Sequence, residues 1–387
     1  MRARLLCCSG SLDGGGSERQ LWQLATQIDP NVFAPQIYLH YLRGHYLNKL
    51  PDRIPIHAFW SEIPKASRLP GGVRQQQIKH LQEIIRRERI AVVYDRTFHM
   101  TLVTSAACRK LRIPRLSVIV SPPSLDFAGS RERFHSIKKW LLARAYRDHR
   151  AMTLAVSQGV ADDAWKYYAI APEKFVVVPS PVDIDGIKVA ANEPLTLDRH
   201  AQQAMRIAVV GRLSKEKGQA RAIEALSLSN KTERLITLDI IGDGPLRHQL
   251  EALAARLGVA DQTNFWGHCD NPYPWIQAAD LLCITSDYEG LANVALEAMA
   301  LRTPVLSTDC GDAIRELLGK QQRGVVVPAG DCQALATEIL SFGKQKQLWR
   351  SRIDAAEAWV TEHHSLPHWL TTMSRLILQA IAREPGR

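Results

Sequence analysis

Short apolar runs alternate with amphipathic stretches along almost the whole chain. In the first half, ARLLCCS (residues 3–9), APQIYLHYL (34–42), IAVVYD (90–95), RLSVIVS (115–121), TLAVS (153–157) and KFVVVPS (174–180) have the length and β-branched content of strands. Between them, SERQLWQLATQI, GVRQQQIKHLQEIIRRE, TLVTSAACRKL and the region around KKWLLARAY repeat their apolar positions at helical spacing. Strand and helix in strict alternation predict a parallel sheet with helices on both faces.

From Asp183 to Met205 the pattern fades into polar clusters with a Pro and no sustained period, which reads as a linker. The alternation then restarts. RIAVVG, ITLDIIG, TNFWG, LLCITS, PVLST and RGVVVP predict strands, with helices near KGQARAIEALSLS and PLRHQLEALAARLG, and residues 332–382 are mostly helical in pattern. The expected architecture is α/β: two tandem doubly wound, Rossmann-like domains with a cleft between them and a C-terminal helical tail. The expected boundaries are 1–183, a linker over 184–205, a second domain over 206–365, and a terminal helix over 366–387 that crosses back to the first domain. Ligands of open parallel sheets sit outside the carboxyl ends of the strands, so the cleft is the expected binding place.

The 387 residues are 46% hydrophobic and 23% charged, a globular composition. No apolar run approaches the ~18 residues of a membrane span, and LLCC is too short for a signal peptide and reads as part of a buried strand. The seven cysteines show no C-x-x-C pairing and predict reduced packing residues and no zinc site. A net charge of +10 fits either an anionic partner or ordinary solubility charge.

The segment ITSDYEGLANVALEAMAL carries the most chemistry. Its strand predicts an end near Ser286 and a helix start near Asn293, which places Glu289 in the loop and Glu297 about one turn inside the helix. Both acids lie at the end where exposed N–H groups favour anions. The amides of Gly290, Leu291, Ala292 and Asn293 are placed for a phosphate, and the carboxylates for hydroxyl groups. Dipole compensation of about 0.3–1 kcal/mol accounts well for Glu289. It accounts poorly for Glu297, whose neighbours Leu296 and Met299 predict burial, where a lone carboxylate costs several kcal/mol.

The run from Ser286 to Ala300, followed by TPVLST, resembles the E-x7-E element of the retaining nucleotide-sugar glycosyltransferases of family four, with the GT-B fold. The resemblance implies that Glu289 meets the transferred sugar and that Glu297 binds the nucleotide's ribose. It also implies a nucleotide-diphosphate sugar donor, UDP- or GDP-linked, and no metal or other cofactor. GRLSKEKG (211–218) follows a predicted strand, so Arg212 and Lys217 flank a strand-to-helix turn; the resemblance has them neutralise the donor's diphosphate. By the same resemblance Gly242, in IGDGP, lies beside the nucleotide, backbone groups at Gly267 and His268 hold the base, and the turn of Gly15 and Gly16 faces phosphate and sugar. That turn fails the G-x-G-x-x-G test of a dinucleotide site because Arg19 stands where a third Gly belongs. Asp183 and Asp185 form a D-x-D that reads as capping chemistry, and Ser157 opens a strand-to-helix turn.

The chain departs from the family pattern in three places. Ser121 and Pro122 stand where many members have a His, with His99 a possible acceptor-side substitute, and Ser180 and Arg302 replace a commoner Asn and Gly. The stretch 131–150 is strongly basic, with Phe134, Ile137, Leu141 and Ala145 at helical spacing and Trp140 among them. It reads either as a helix packed on the sheet or as one lying on an anionic membrane. The function expected is a cytoplasmic hexosyltransferase, peripheral at the inner membrane face, that moves a sugar to a glycan or lipid-linked acceptor in surface polysaccharide or lipopolysaccharide synthesis. A GT-B sugar-nucleotide epimerase is the rival enzyme. A basic nucleic-acid- or membrane-binding module is the rival of another class; for nucleic acid it predicts aromatics interleaved with basic residues on a sheet face or a recognition helix, neither is found, and no nucleic-acid partner is expected.

Overall fold

The computed structural model describes residues 2–65, 67, 69, 71–128, 134–195, 204–229, 235–342 and 344–383. They form two compact units, Met1–Ser180 with Pro367–Arg387, and Pro181–Leu366. Each is built around one parallel sheet.

The first unit contains β1 (Ala3–Ser9), β2 (Phe33–Leu39), β3 (Ile56–Ala58), β4 (Val92–Arg96), β5 (Arg115–Ile119), β6 (Ala151–Ala155) and β7 (Phe175–Val177), in the order β3-β2-β1-β4-β5-β6-β7. Every neighbouring pair is parallel. The inner strands β4, β5 and β6 are buried at every position, so most of their residues are apolar, and polar ones among them pair with each other, as Ser117 Oγ donates to Asp95 Oδ2 at 2.8 Å. β3 is only three residues long and went unpredicted, since IHA is too short to show a period.

The second unit contains β8 (Met205–Val210), β9 (Ile236–Ile241), β10 (Thr263–Gly267), β11 (Leu281–Ile284), β12 (Val305–Thr308) and β13 (Val325–Val327), in the order β10-β9-β8-β11-β12-β13 and parallel throughout. Alternate strand residues feed two cores. Ile207, Val209, Leu281 and Cys283 pack with Ile223 and Leu226 of the helix Gln219–Ser229 on one face. Ala208, Leu282 and Ile284 pack with Ala295, Leu296 and Met299 of the helix Asn293–Ala300 on the other. This is the architecture expected, an α/β chain of two doubly wound sheets.

The stretch expected as a linker, 184–205, is not all linker. Asp183 caps the helix Ile184–Ala190 by accepting a hydrogen bond from Gly186 N at 3.1 Å. Ile187 and Ala191 are buried among Ile241 and Ala295. Two anchoring residues are too few to show as a period. Residues 196–203 of that stretch lie outside the described residues. The tail is helical as read, with Cys332–Phe342, Lys346–His364 and Leu366–Ala382. Among the described residues no helix is long and apolar enough to cross a membrane.

Candidate active site

Strand order reverses in the second unit between β8 and β11, which are neighbours in space but not in sequence. The connections leaving their carboxyl ends diverge to opposite faces, the geometry that opens a crevice in this class of sheet. The segment after β8 is GRLSKEKG, and the segment after β11 is TSDYEGLAN. The fold therefore brings the two motifs together at one edge.

They are joined by a dense set of polar contacts. Lys217 Nζ donates to Glu289 Oε1 at 2.6 Å, and Ser286 Oγ donates to the same oxygen at 2.7 Å. The Lys217 side chain is 31% exposed and that of Glu289 13%. Thr285 Oγ1 donates to Lys217 O at 3.1 Å, and Asp287 N to Glu216 O at 2.7 Å. Arg221 Nη1 donates to Thr285 O at 2.7 Å and pairs with Asp287 through its other nitrogen. Gly218 makes this approach possible. Its φ is +60°, and a Cβ there would stand 2.2 Å from Thr285 O.

Arg212 is exposed at the mouth of the turn, with its carbonyl fixed by Gln219 Nε2 at 2.8 Å. Burial works to raise the Glu216 carboxyl, but the Ser214 hydroxyl, a backbone amide and the cations Lys217 and Arg212 outweigh it and hold it below its ordinary value. Glu216 thus stays an anion that anchors the turn. Next to Glu289, whose amide donates to Cys310 O at 3.2 Å, burial pushes the Cys310 thiol up to about 12. A thiolate nucleophile is absent there at neutral pH.

The helix Asn293–Ala300 begins at Asn293, and Ala292 at its N-cap provides no side-chain cap. First-turn N–H groups at such an end suit an anion. Asn293 Oδ1 is buried with no hydrogen-bond partner among the described residues, an acceptor suited to a ligand hydroxyl. Glu297 lies one turn in and is 5% exposed, amid Leu296 and Met299. Gly290 and Ala292 are buried, and Leu291 is half-buried.

Gly242 directly follows β9 and Gly267 ends β10, on the same edge. Gly242 N donates to Gly267 O at 2.8 Å, and a Cβ on Gly242 would stand 2.0 Å from Gly211 O. Close backbone packing at that edge accounts for the glycine in IGDGP. The His268 ring is exposed and pairs with Asp270 at 3.2 Å.

In the first unit, Gly15 is the N-cap of the helix Gly16–Gln27, again with no side-chain cap. His99 sits in the first turn of the helix Phe98–Leu111, its ring 5.3 Å from that of His40. Burial, with Lys138 and Arg74 nearby, holds its pKa below the ordinary value. His40 was not anticipated. It is buried, takes a hydrogen bond from Trp60 Nε1 at 3.1 Å, and stacks on Phe59. It lies inside APQIYLHYL, the run read as a strand, and nothing else in the sequence singled it out. Ser121 donates to Asp126, and Ser157 Oγ caps the helix Gln158–Tyr168 through Val160 N at 3.3 Å. Arg302, in place of the commoner Gly, takes φ +62° and pairs with Asp354 at 2.6 Å and with Glu357.

The positioning residues Ser286, Thr285, Arg221 and Gln219 escaped the sequence reading. Only Ser286, three residues before Glu289, had a local signal.

Residues 199–359 match the family model "Glycosyl transferases group 1", and residues 14–185 match "Glycosyltransferase Family 4". The chain is 28% identical over 198 residues to the N-acetylgalactosamine-N,N'-diacetylbacillosaminyl-diphospho-undecaprenol 4-alpha-N-acetylgalactosaminyltransferase of Campylobacter jejuni, covering 51% of this chain and 52% of the relative. It is 29% identical over 191 residues to the lipopolysaccharide core biosynthesis glycosyltransferase LpsE of Rhizobium meliloti, covering 48% and 51%. It thus spans about half the length of each of these relatives. Among solved structures, Anabaena HepE in complex with UDP-glucose shares the fold at a TM-score of 0.79 and 18% identity, over 97% of this chain and 99% of that one. The two family models between them take in both units, and the chain belongs to the family-four-like glycosyltransferases of the GT-B fold.

Proposed function

We propose that this protein is a retaining glycosyltransferase that moves a hexosyl group from a nucleotide-diphosphate sugar to a glycan or lipid-linked acceptor, in the assembly of a surface polysaccharide or lipopolysaccharide. The observation that carries the reading is the meeting of Lys217, Glu289 and an uncapped helix start where the strand order of the second sheet reverses. Similarity to the undecaprenol-linked transferase and to LpsE supports the acceptor class, and the UDP-glucose complex of HepE supports UDP ahead of GDP as the carrier.

In this reading the bond from the anomeric carbon to the diphosphate oxygen breaks, a bond to the acceptor hydroxyl oxygen forms on the same face, and the proton of that hydroxyl leaves with the diphosphate. Negative charge gathers on the departing diphosphate. Lys217, Arg212 and the amides of residues 290–293 are the groups that stabilise it, an effect worth several kcal/mol in a site shielded from water. Glu289 accepts from hydroxyls of the transferred sugar and Glu297 from the ribose, with Asn293 Oδ1 a further acceptor. Gly242, Gly267 and the His268 backbone line the nucleotide side. His99, Gly15 and Gly16 are the first unit's candidates. The chemistry requires no metal or other cofactor.

Thermal-shift titration with UDP- and GDP-sugars tests the donor, and NMR of the product's anomeric proton tests retention. Stabilisation by one nucleotide series, lost in Glu297→Gln, is the expected result. No shift with any sugar nucleotide, or an inverted anomer in the product, overturns the reading.

A further inference from the structure

The basic stretch of the first unit folds as the helix His135–Arg147, and its face toward solvent carries large apolar side chains beside its charges. Leu142, Ala143, Ala145 and Tyr146 turn inward and are buried. Phe134, Ile137 and Trp140, one helical turn apart from each other, stand outward at 70%, 54% and 57% exposure. Leaving three large apolar side chains in water within seven residues is costly, and nothing of the fold is gained by it. The packed-helix reading of this stretch therefore accounts for only half of its apolar residues.

The charges of the same helix are all of one sign. Lys138, Lys139, Arg144 and Arg147 are present, and no Asp or Glu occurs from His135 to Arg147. Arg147 is committed inward, holding Tyr168 O and Ala169 O at 2.8 and 2.7 Å. Lys139 lies over the Tyr167 ring at 4.1 Å. Arg144 lies over the exposed Trp140 ring at 5.5 Å and so belongs to the apolar face itself.

We propose that this helix docks the protein on an anionic lipid bilayer, lying in the plane of the interface. Such a surface satisfies both halves of the pattern. Ile137 and Phe134 enter the acyl boundary, the Trp140 ring sits at headgroup depth, and Lys138 and Arg144 reach the phosphates. With 13 residues the helix is about 20 Å long, too short to span and suited to lying flat. A second copy of the chain is the poorer occupant, because two such faces would bring cations against cations. The inference stands apart from the donor chemistry and concerns where the enzyme meets a lipid-linked acceptor.

The test is flotation of the full-length chain, without sugar nucleotide, on vesicles of phosphatidylcholine alone and of phosphatidylcholine with phosphatidylglycerol. The expected result is partition onto the anionic vesicles at least roughly tenfold above the neutral ones. Ile137→Ser with Trp140→Ser should lower that partition by about tenfold or more while leaving Tm unchanged, since both side chains are exposed. Lys138→Gln with Arg144→Gln should remove the preference for anionic lipid. Equal binding to both vesicle types, unaltered binding by the serine pair, or a wild-type dimer that the serine pair dissolves without any vesicle binding would each overturn the proposal. Because no donor is present, none of these outcomes bears on sugar transfer.

Discussion

Lys217→Ala is the most informative perturbation, because the same side chain serves the fold and, in the proposed reading, the reaction. Lys217 Nζ lies 2.6 Å from Glu289 Oε1, with the lysine side chain 31% and the glutamate 13% exposed. Truncation leaves Glu289 with the 2.7 Å bond from Ser286. A partly buried charge-assisted pair lies between the exposed and buried limits, so its loss should cost about 1–2 kcal/mol. For a unit of this size that is a fall in Tm of roughly 2–8 °C. The catalytic consequence is much larger. Removing one cation from the departing diphosphate should raise the barrier by about 3–4 kcal/mol, a loss in kcat of roughly 10²–10³. The two effects separate by temperature. Initial rates with a sugar-nucleotide donor, taken well below the lowered Tm, report only the second. Glu289→Gln is the companion, since its amide oxygen still accepts from Lys217 and Ser286 and should leave Tm nearly unchanged while kcat falls. A fully folded Lys217→Ala enzyme with kcat within about threefold of wild type, or losses that track the folded fraction, would refute a role at the leaving group.

Two further outcomes follow from single features of the structure. Gly218→Ala places a Cβ 2.2 Å from Thr285 O at φ +60°, and should lower Tm by the equivalent of about 2–4 kcal/mol and reduce donor affinity, read by calorimetry and by thermal shift. Burial, with His99 nearby, lowers the His40 pKa from the ordinary 6.5 to about 4; the unfolded chain therefore binds the extra proton first, so stability present above pH 6.5 should be lost as pH falls toward 4. His40→Gln, which keeps an acceptor for Trp60, should flatten that slope of Tm against pH, and an unchanged slope would remove His40 as its source.

The two sheets were legible because strands buried on both faces carry mostly apolar residues in short unbroken runs. IAVV, LSVI and LLCI are each a few residues long and almost without polar positions, and a helix of that length could not bury all of them. What escaped were elements too short to repeat. The strand Ile56–Ala58 and the helices Tyr273–Ala278 and Asp312–Leu317 span six residues or fewer, and the helix Ile184–Ala190 is held by two buried side chains. The basic helix shows a different limit. Its period was visible, but two apolar stripes share it, and the expected set of Phe134, Ile137, Leu141 and Ala145 mixes them. The structure buries Leu142, Ala145 and Tyr146 and leaves Phe134 and Ile137 outside. Periodicity states that a stripe exists; which stripe faces the sheet depends on helix rotation, and that is set by tertiary packing.

The candidate site divides along the same line. Glu297 was placed by local reasoning alone, since an acid among Leu296, Met299 and Ala300 in a helix must be buried wherever that helix packs. Lys217 and Glu289 are 72 residues apart, and no local rule joins them. Their meeting depends on β11 lying beside β8 rather than beside β10, its neighbour in sequence. A run of alternating strands and helices is compatible with either arrangement, so the resemblance to the family, and not the period, carried that inference. Gly218 is the residue through which the chain enforces the result. A Cβ there would stand 2.2 Å from Thr285 O, so a side chain at this position should push apart the turn that carries Lys217 and the segment that carries Glu289. The strand order brings the two motifs to one edge, and that single glycine closes the last ångströms between them.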